Sequence, residues 1–204
     1  LANQETRDRF ILRSQVVSGI RGFLNDKGFM EVETPILIPV PAGAMARPFV
    51  TRHNALDRTL YLRIATELYL KRCIIGGLEK VFEIGRVFRN EGLDANHNPE
   101  FTTLETYHAY VDYRVVMEML EEMISSLAET LLGSSQINWR SQTLDLKPPW
   151  RRLELRTALK SYANIDIEAI PDAAKLADEM RALGIKVTQE ESWGRLVDKL
   201  LSET

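Results

Sequence analysis

Apolar residues recur at three- and four-residue steps across residues 6–27, where Phe10, Val17, Ile20 and Leu24 are interspersed with Arg7, Arg13, Arg21 and Asp26. That period predicts an amphipathic helix, and Gly28 directly after it supplies a stop. Residues 29–35 (FMEVETP) switch to the alternation of a strand and end at a proline. Residues 40–48 (VPAGAMARP) show no period and are rich in Pro, Gly and Ala, which predicts a loop. A strand over 59–63 then leads into a helix over 66–75, closed by Gly76 and Gly77. The clearest patterning lies in residues 81–91 and 101–110, two strand-like runs separated by turn chemistry (GLDANHNP) at 92–99. This predicts an antiparallel hairpin with a long loop. Period two puts Val87, Arg89 and Glu91 on one face of its first strand, and Phe101, Thr103, Glu105 and Tyr107 on one face of its second. Residues 114–132 carry the stripe Val116, Met119, Leu120, Met123, Leu127 and Leu131 of another amphipathic helix. A boundary is expected within 133–149, followed by a short strand-like stretch and helices over 154–162, 172–183 and 193–201. Without repeats or a regular βαβ rhythm, the order of elements predicts an α+β fold, an antiparallel β-sheet flanked by helices.

Composition narrows the class without naming a function. At 204 residues, 45% apolar and 27% charged, the chain matches an ordinary globular protein of one domain or one domain with an appendage. No stretch approaches the roughly 18 apolar residues of a membrane span, and no basic, apolar leader opens the chain. A net charge of −3 leaves no overall footprint for nucleic acid, although a basic face can sit on an acidic protein. One cysteine, Cys73, permits no internal disulfide and fits a reducing compartment such as the cytoplasm. The chain begins at Leu1 and ends at Ser202-Glu203-Thr204 inside a predicted helix, so it is expected to be a piece of a longer protein.

Phosphate-loop, dinucleotide-fold and zinc signatures are absent, and His53, His97 and His108 lack metal-ligand spacing. The hairpin carries the candidate chemistry. Arg89 and Glu91 on one strand face Glu105 and Tyr107 on its neighbour, and a buried arginine must be paired. One reading is a structural Arg89–Glu105 or Arg89–Glu91 ion pair. The other is a pocket: an arginine fork holds a carboxylate or phosphate, and carboxylates with a phenol hold an ammonium. A free α-amino acid presents both groups. A helix start near Thr66 and Glu67 adds a further carboxylate, also an ordinary partner of the helix dipole. Met117, Met119 and Met123 are expected in the core, Lys147 to Arg152 (KPPWRR) in an exposed turn, and Glu121 and Glu122 on a solvated helix face.

Residues 28–35 (GFMEVETP) resemble motif 1 of the class II aminoacyl-tRNA synthetases, and FRNE at 88–91 with HNPEFT at 97–102 resembles their motif 2. AMARPF at 44–49, HNALD at 53–57 and YLRIATELYLKR at 61–72 are similar to the lysine-specific branch, subclass IIb. The match is dense over residues 5–115. The resemblance implies a catalytic core whose first part is residues 1–132 and whose helical or mixed continuation is 133–204. It implies a homodimer formed through residues 6–35, with ATP, lysine and tRNA(Lys) as partners. It also implies lysyl-adenylate formation followed by transfer of the lysyl group to the tRNA. By the same resemblance Arg89 bridges the amino-acid carboxylate and the α-phosphate. Glu91, His97 and Asn98 meet the adenine and outer phosphates, and Phe101 stacks on adenine. Gly43 and Glu67 contact the α-ammonium, while Glu105 and Tyr107 form part of the pocket for the side-chain ammonium.

Three departures qualify the resemblance. Motif 3 has no counterpart here, nor do the acidic residues near it that help bind Mg2+, so the main magnesium ligands are not expected in this chain. The anticodon-binding OB-fold is missing as well. Pro41-Ala42-Gly43-Ala44 stands where the family usually has Gly-Gly-Ala, removing the freedom of one glycine from a loop expected to move. The chain alone is therefore expected to be inactive in adenylation. Alternatives are a tRNA-independent ligase that attaches lysine to elongation factor P, an aspartyl- or asparaginyl-specific relative, and a synthetase-derived binding protein without catalysis.

Overall fold

A computed structural model describes residues 2–92, 97–188 and 191–203. The chain divides into two compact units, Leu1–Pro149 and Trp150–Thr204.

The first unit opens with helix α1 (Gln4–Asp26), capped by the Asn3 side chain, which accepts from the Glu5 N–H at 2.8 Å. Gly28 turns the chain in the left-handed region (φ 79°) that a residue with a Cβ enters at a cost. Strands β1 (Met30–Glu31), β2 (Leu37–Ile38), β3 (Val50–His53) and β4 (Arg58–Leu62) precede helix α2 (Glu67–Ile75). Strands β5 (Lys80–Phe88) and β6 (Glu100–His108) form the long hairpin, and helix α3 (Tyr113–Leu132) follows, capped by Asp112 and closed by Gly133. A small hairpin, β7 (Gln136–Trp139) and β8 (Gln142–Asp145), ends the unit.

One sheet has the order β1-β5-β6 and a second β2-β4-β3. In the first, β5 and β6 pair antiparallel with Glu83 opposite Glu105, Gly85 opposite Thr103 and Val87 opposite Phe101. Side chains alternate across a pleated sheet, so these pairs share one face. The intervening residues Phe82, Ile84 and Leu104 point the other way, into a core with Leu24, Phe29, Ile20, Phe23 and Met119. The sheet thus has an apolar face closed by α1 and α3 and an opposite face free to carry polar chemistry.

The second unit contains helices α4 (Leu155–Ala163), α5 (Ala173–Ala182) and α6 (Trp193–Glu203). Its core is wholly apolar, built on Leu159, Ile165, Leu176, Met180, Leu196 and Leu200.

Several expectations are corrected. The hairpin strands end at Phe88 and His108, so Arg89 and Glu91 lie just beyond β5. β1 joins its sheet parallel to β5, the one parallel pairing among the described residues. The two units divide after Pro149, at the end of the segment expected to hold the boundary, but that segment also carries β7 and β8, and no strand follows Pro149 before α4. Glu121 is buried on α3; only its neighbour Glu122 reaches solvent, where it pairs with Lys27. Residues 93–96 of the expected loop lie outside the described residues.

Candidate active site

Five consecutive residues, 63–67, run along the polar face and touch every part of the site. Arg63 is clamped by its backbone, donating to the Ile36 carbonyl and accepting from the Phe88 N–H, both at 2.9 Å. Its guanidinium donates to the Arg86 carbonyl (2.7 Å), the Thr34 carbonyl and hydroxyl (both 3.0 Å) and Glu83 (2.5 Å). Glu83 in turn accepts from the Thr34 hydroxyl at 2.5 Å. The two charged side chains are 3% and 4% exposed. A buried pair survives only when its remaining hydrogen-bonding groups are matched, and here Thr34 and the Arg86 carbonyl supply the matching partners from within the protein. Gly85 is required at this crossing, because a Cβ there would overlap the Arg63 guanidinium.

Arg89 follows. Its Nε donates to the Ile64 carbonyl at 3.4 Å, and its guanidinium lies 5.3 Å from the centre of the Phe101 ring. Arg89 N–H donates to the Pro99 carbonyl at 2.8 Å, and Asn90 N–H to the Arg47 carbonyl at 2.7 Å. The Arg47 N–H reaches Glu91 at 3.4 Å, so the loop before β3 docks on this segment. Together Arg89, Glu91, Gly92, His97, Asn98 and Phe101 line a cavity of about 220 Å³. All five residues expected at the nucleotide are therefore brought together, with a cation over an aromatic face at one wall.

The acidic end lies along the same segment. Thr66 N–H donates to Glu105 at 3.2 Å, and the Tyr107 hydroxyl donates to the other Glu105 oxygen at 3.4 Å. Burial, reinforced by the charges of Glu105 and Glu67, pushes the Tyr107 phenol up to about 12, so it stays a donor at neutral pH. Glu67 is bound by Lys71 one turn along α2 at 2.5 Å. Gly43 (φ 93°) comes so close that a Cβ there would stand 3.0 Å from Ala65 Cβ and 3.3 Å from Glu67 Cβ. Gly43, Glu67, Glu105 and Tyr107 thus form one cluster, rich in acceptors and suited to ammonium groups.

Neither ion pair expected of Arg89 forms: among the described residues it pairs with neither Glu91 nor Glu105. The physical reason is that Glu83 already neutralises the buried arginine, which is Arg63, and Glu105 is held by Thr66 and Tyr107. Arg63, Glu83 and Thr34 are the residues sequence reasoning missed. Their signal was Glu83 standing alone among the uncharged residues of 81–85 (VFEIG), two positions before Gly85. His53 takes a local role, accepting from the Leu56 N–H at 3.2 Å, and His108 packs edge-on against Phe29 at 5.5 Å. Among the described residues no three His, Cys, Asp or Glu side chains cluster as a metal site. No helix among them is long and apolar enough to cross a membrane.

Comparison with known proteins adds the family to this geometry. The chain belongs to the class II tRNA synthetases (D, K and N), whose family model matches residues 1–193. Within that family its relatives include lysine–tRNA ligases. That of Dehalococcoides mccartyi is 51% identical over 203 residues, covering all of this chain and 41% of the relative. Those of Chloroflexus aurantiacus and Moorella thermoacetica are 48% and 46% identical, again over the whole chain and 41% and 42% of their own length. The chain spans about two fifths of the curated relatives it matches.

Proposed function

We propose that this chain carries the ATP- and lysine-binding part of a lysine–tRNA ligase. What supports this most is one juxtaposition: the Arg89–Phe101 cavity and the Glu67–Glu105–Tyr107 cluster are joined through residues 63–67. Lysine carries one carboxylate and two ammonium groups. Its ammonium groups match Glu67 beside Gly43 and Glu105 beside Tyr107, which leaves the carboxylate directed to Arg89. ATP is placed with adenine on Phe101 and its phosphates toward Arg89, His97 and Asn98, with Glu91 at the adenine edge.

In that arrangement a lysine carboxylate oxygen attacks the α-phosphorus. An acyl–phosphate bond forms, the bond to the β-phosphate oxygen breaks, and pyrophosphate leaves. Two anions must meet, so Arg89 offsets charge that grows as the new bond forms. A terminal ribose hydroxyl of tRNA(Lys) then attacks the lysyl carbonyl, and AMP leaves. Magnesium is implied by the family resemblance, although no cluster of three His, Cys, Asp or Glu side chains marks a site for it among the described residues. A homodimer through residues 6–35 is part of the proposal, supported by Phe10, Ile11, Leu12 and Met30, apolar side chains left exposed on α1 and β1. A cytoplasmic location fits the single free Cys73.

The test is calorimetric titration with a non-hydrolysable lysyl-adenylate analogue, with the aspartyl analogue as control. Selective binding of the lysyl analogue, lost in Arg89→Ala, is expected. Preference for the aspartyl analogue would overturn the specificity. Lysine-dependent ATP–pyrophosphate exchange by these 204 residues alone would overturn the expectation that they are inactive by themselves.

A further inference from the structure

We propose that the buried Arg63–Glu83–Thr34 network is a positioning centre that sets the orientation of Arg89, and through residues 64–66 the placement of Glu105. The inference rests on the site reading above for its catalytic consequence, but its geometric content stands apart from it.

Three observations carry it. First, the network does not touch the nucleotide cavity, yet it holds the residue next to the one that orients Arg89. Arg63 is fixed at N–H, carbonyl and guanidinium, and the following carbonyl, that of Ile64, receives Arg89 Nε. Two residues on, the Thr66 N–H donates to the Glu105 carboxylate. Second, the pair is poorly explained as a stabilising device. Well-packed apolar side chains of similar volume commonly serve as well as a buried ion pair, whereas the guanidinium fork can tie several carbonyls at fixed angles. Third, the sheet is shaped to admit it: at Gly85 a Cβ would overlap the Arg63 guanidinium and crowd the Glu83 carboxylate where the two meet over β5. Arg63 is thus fastened to two separate stretches of chain: the one after β1, through Thr34 and Ile36, and β5, through Glu83, Arg86 and Phe88.

The test uses Thr34→Val, which keeps the Arg63–Glu83 pair but removes a shared hydroxyl, and Arg63→Lys, which keeps charge but loses the fork. Arginine side-chain NMR follows the Arg89 Nε–H. In both variants its signal is expected to move and to exchange faster with water; an Arg89 signal unchanged in folded Thr34→Val overturns the proposal. In the full-length gene product, kcat for lysine-dependent ATP–pyrophosphate exchange is expected to fall about 100-fold in Arg63→Lys, the scale of a 1 Å misplacement. The same change made in an Arg89→Lys background is expected to cost little more, because both act through one side chain. Additive losses in the two backgrounds would mark Arg63 as merely structural and overturn the proposal. Absence of lysine-dependent exchange in the unaltered full-length protein would defeat the assigned function, while the NMR result still decides the positioning.

Discussion

Two interiors coexist in this chain. Among the described residues, those fully buried in the helical unit Trp150–Thr204 are all apolar, whereas Leu1–Pro149 holds every fully buried polar one: Arg63, Thr66, Glu83, Glu121 and Ser125. Three of the five lie in or against the segment that builds the candidate site. An apolar core is non-directional, and many packings satisfy it; a buried charge network is satisfied by few geometries. The contrast teaches where this chain accepts the cost of desolvating charge, which is under the residues whose angles matter.

The sharpest way to break the contrast is to remove one half of the charge pair. Glu83→Ala leaves Arg63 buried and uncompensated, and urea unfolding of the first unit is expected to show a loss of about 3–5 kcal/mol. The double variant Arg63→Met/Glu83→Leu is expected to recover most of that stability while losing binding of the lysyl-adenylate analogue. A double variant that binds normally would mean the network is only structural.

The second unit should respond as an ordinary core. Leu176 is fully buried in the cluster of α4, α5 and α6, and Leu176→Ala is expected to cost about 2–5 kcal/mol. Trp193, whose indole N–H donates to the Ile170 carbonyl at 2.8 Å, gives a fluorescence probe of this unit. No matching rescue by a polar partner is expected there, because the cavity left behind is apolar.

This difference also explains what was legible before any coordinates. The helices over 114–132, 154–162, 172–183 and 193–201 follow from apolar stripes, and each forms within two residues of its expected ends. The nucleotide-side residues Arg89, Glu91, His97, Asn98 and Phe101 were legible through a motif, and the fold gathers them around one cavity. β3 was not, since all four of its residues are exposed and nothing in Val50–His53 alternates. The β7–β8 hairpin escaped because its strands are only four residues each and nearly all exposed, too short for the alternation in Gln136–Trp139 to stand out. Arg63 escaped for the opposite one: a lone arginine in a strand reads as solvent-facing, and only the long-range meeting with Thr34 and Glu83 makes it interior.

The two units should also part company with pH. Tyr107 has its phenol raised to about 12, so the folded state holds that proton more tightly than the unfolded chain. Its contribution is complete below about pH 10, the ordinary tyrosine value, and is lost as pH rises toward 12. Asp166 in the second unit is held well below the usual carboxylate range, first by its hydrogen bond from Arg156 and then by Lys160 and the surrounding positive charge. Its contribution is present above the ordinary aspartate value and fades as pH falls below it. Ultraviolet titration should find one late tyrosinate that disappears in Tyr107→Phe, and acid unfolding of the second unit should shift upward in pH in Asp166→Asn only if the Arg156 contact matters. A Tyr107 that ionises with the exposed tyrosines would break the link to Glu105.

The smallest expected effect tests the logic from the other side. Thr66 is completely buried, and its hydroxyl has no hydrogen-bond partner among the described residues, although its backbone N–H holds Glu105. It stands at the start of α2 without capping it, so the hydroxyl satisfies nothing there. A buried, unmatched hydroxyl costs roughly 1–3 kcal/mol, and valine has the same shape without it. Thr66→Val should therefore raise the stability of the first unit by about 1 kcal/mol, allowing for some relaxation, while leaving analogue affinity unchanged because the N–H remains. If the variant instead loses affinity, the hydroxyl belongs to the ligand-bound site and the acidic cluster extends one residue further along the 63–67 segment. If stability falls with affinity intact, the hydroxyl has a partner within the fold and the polar interior of this unit is more completely matched than its geometry shows.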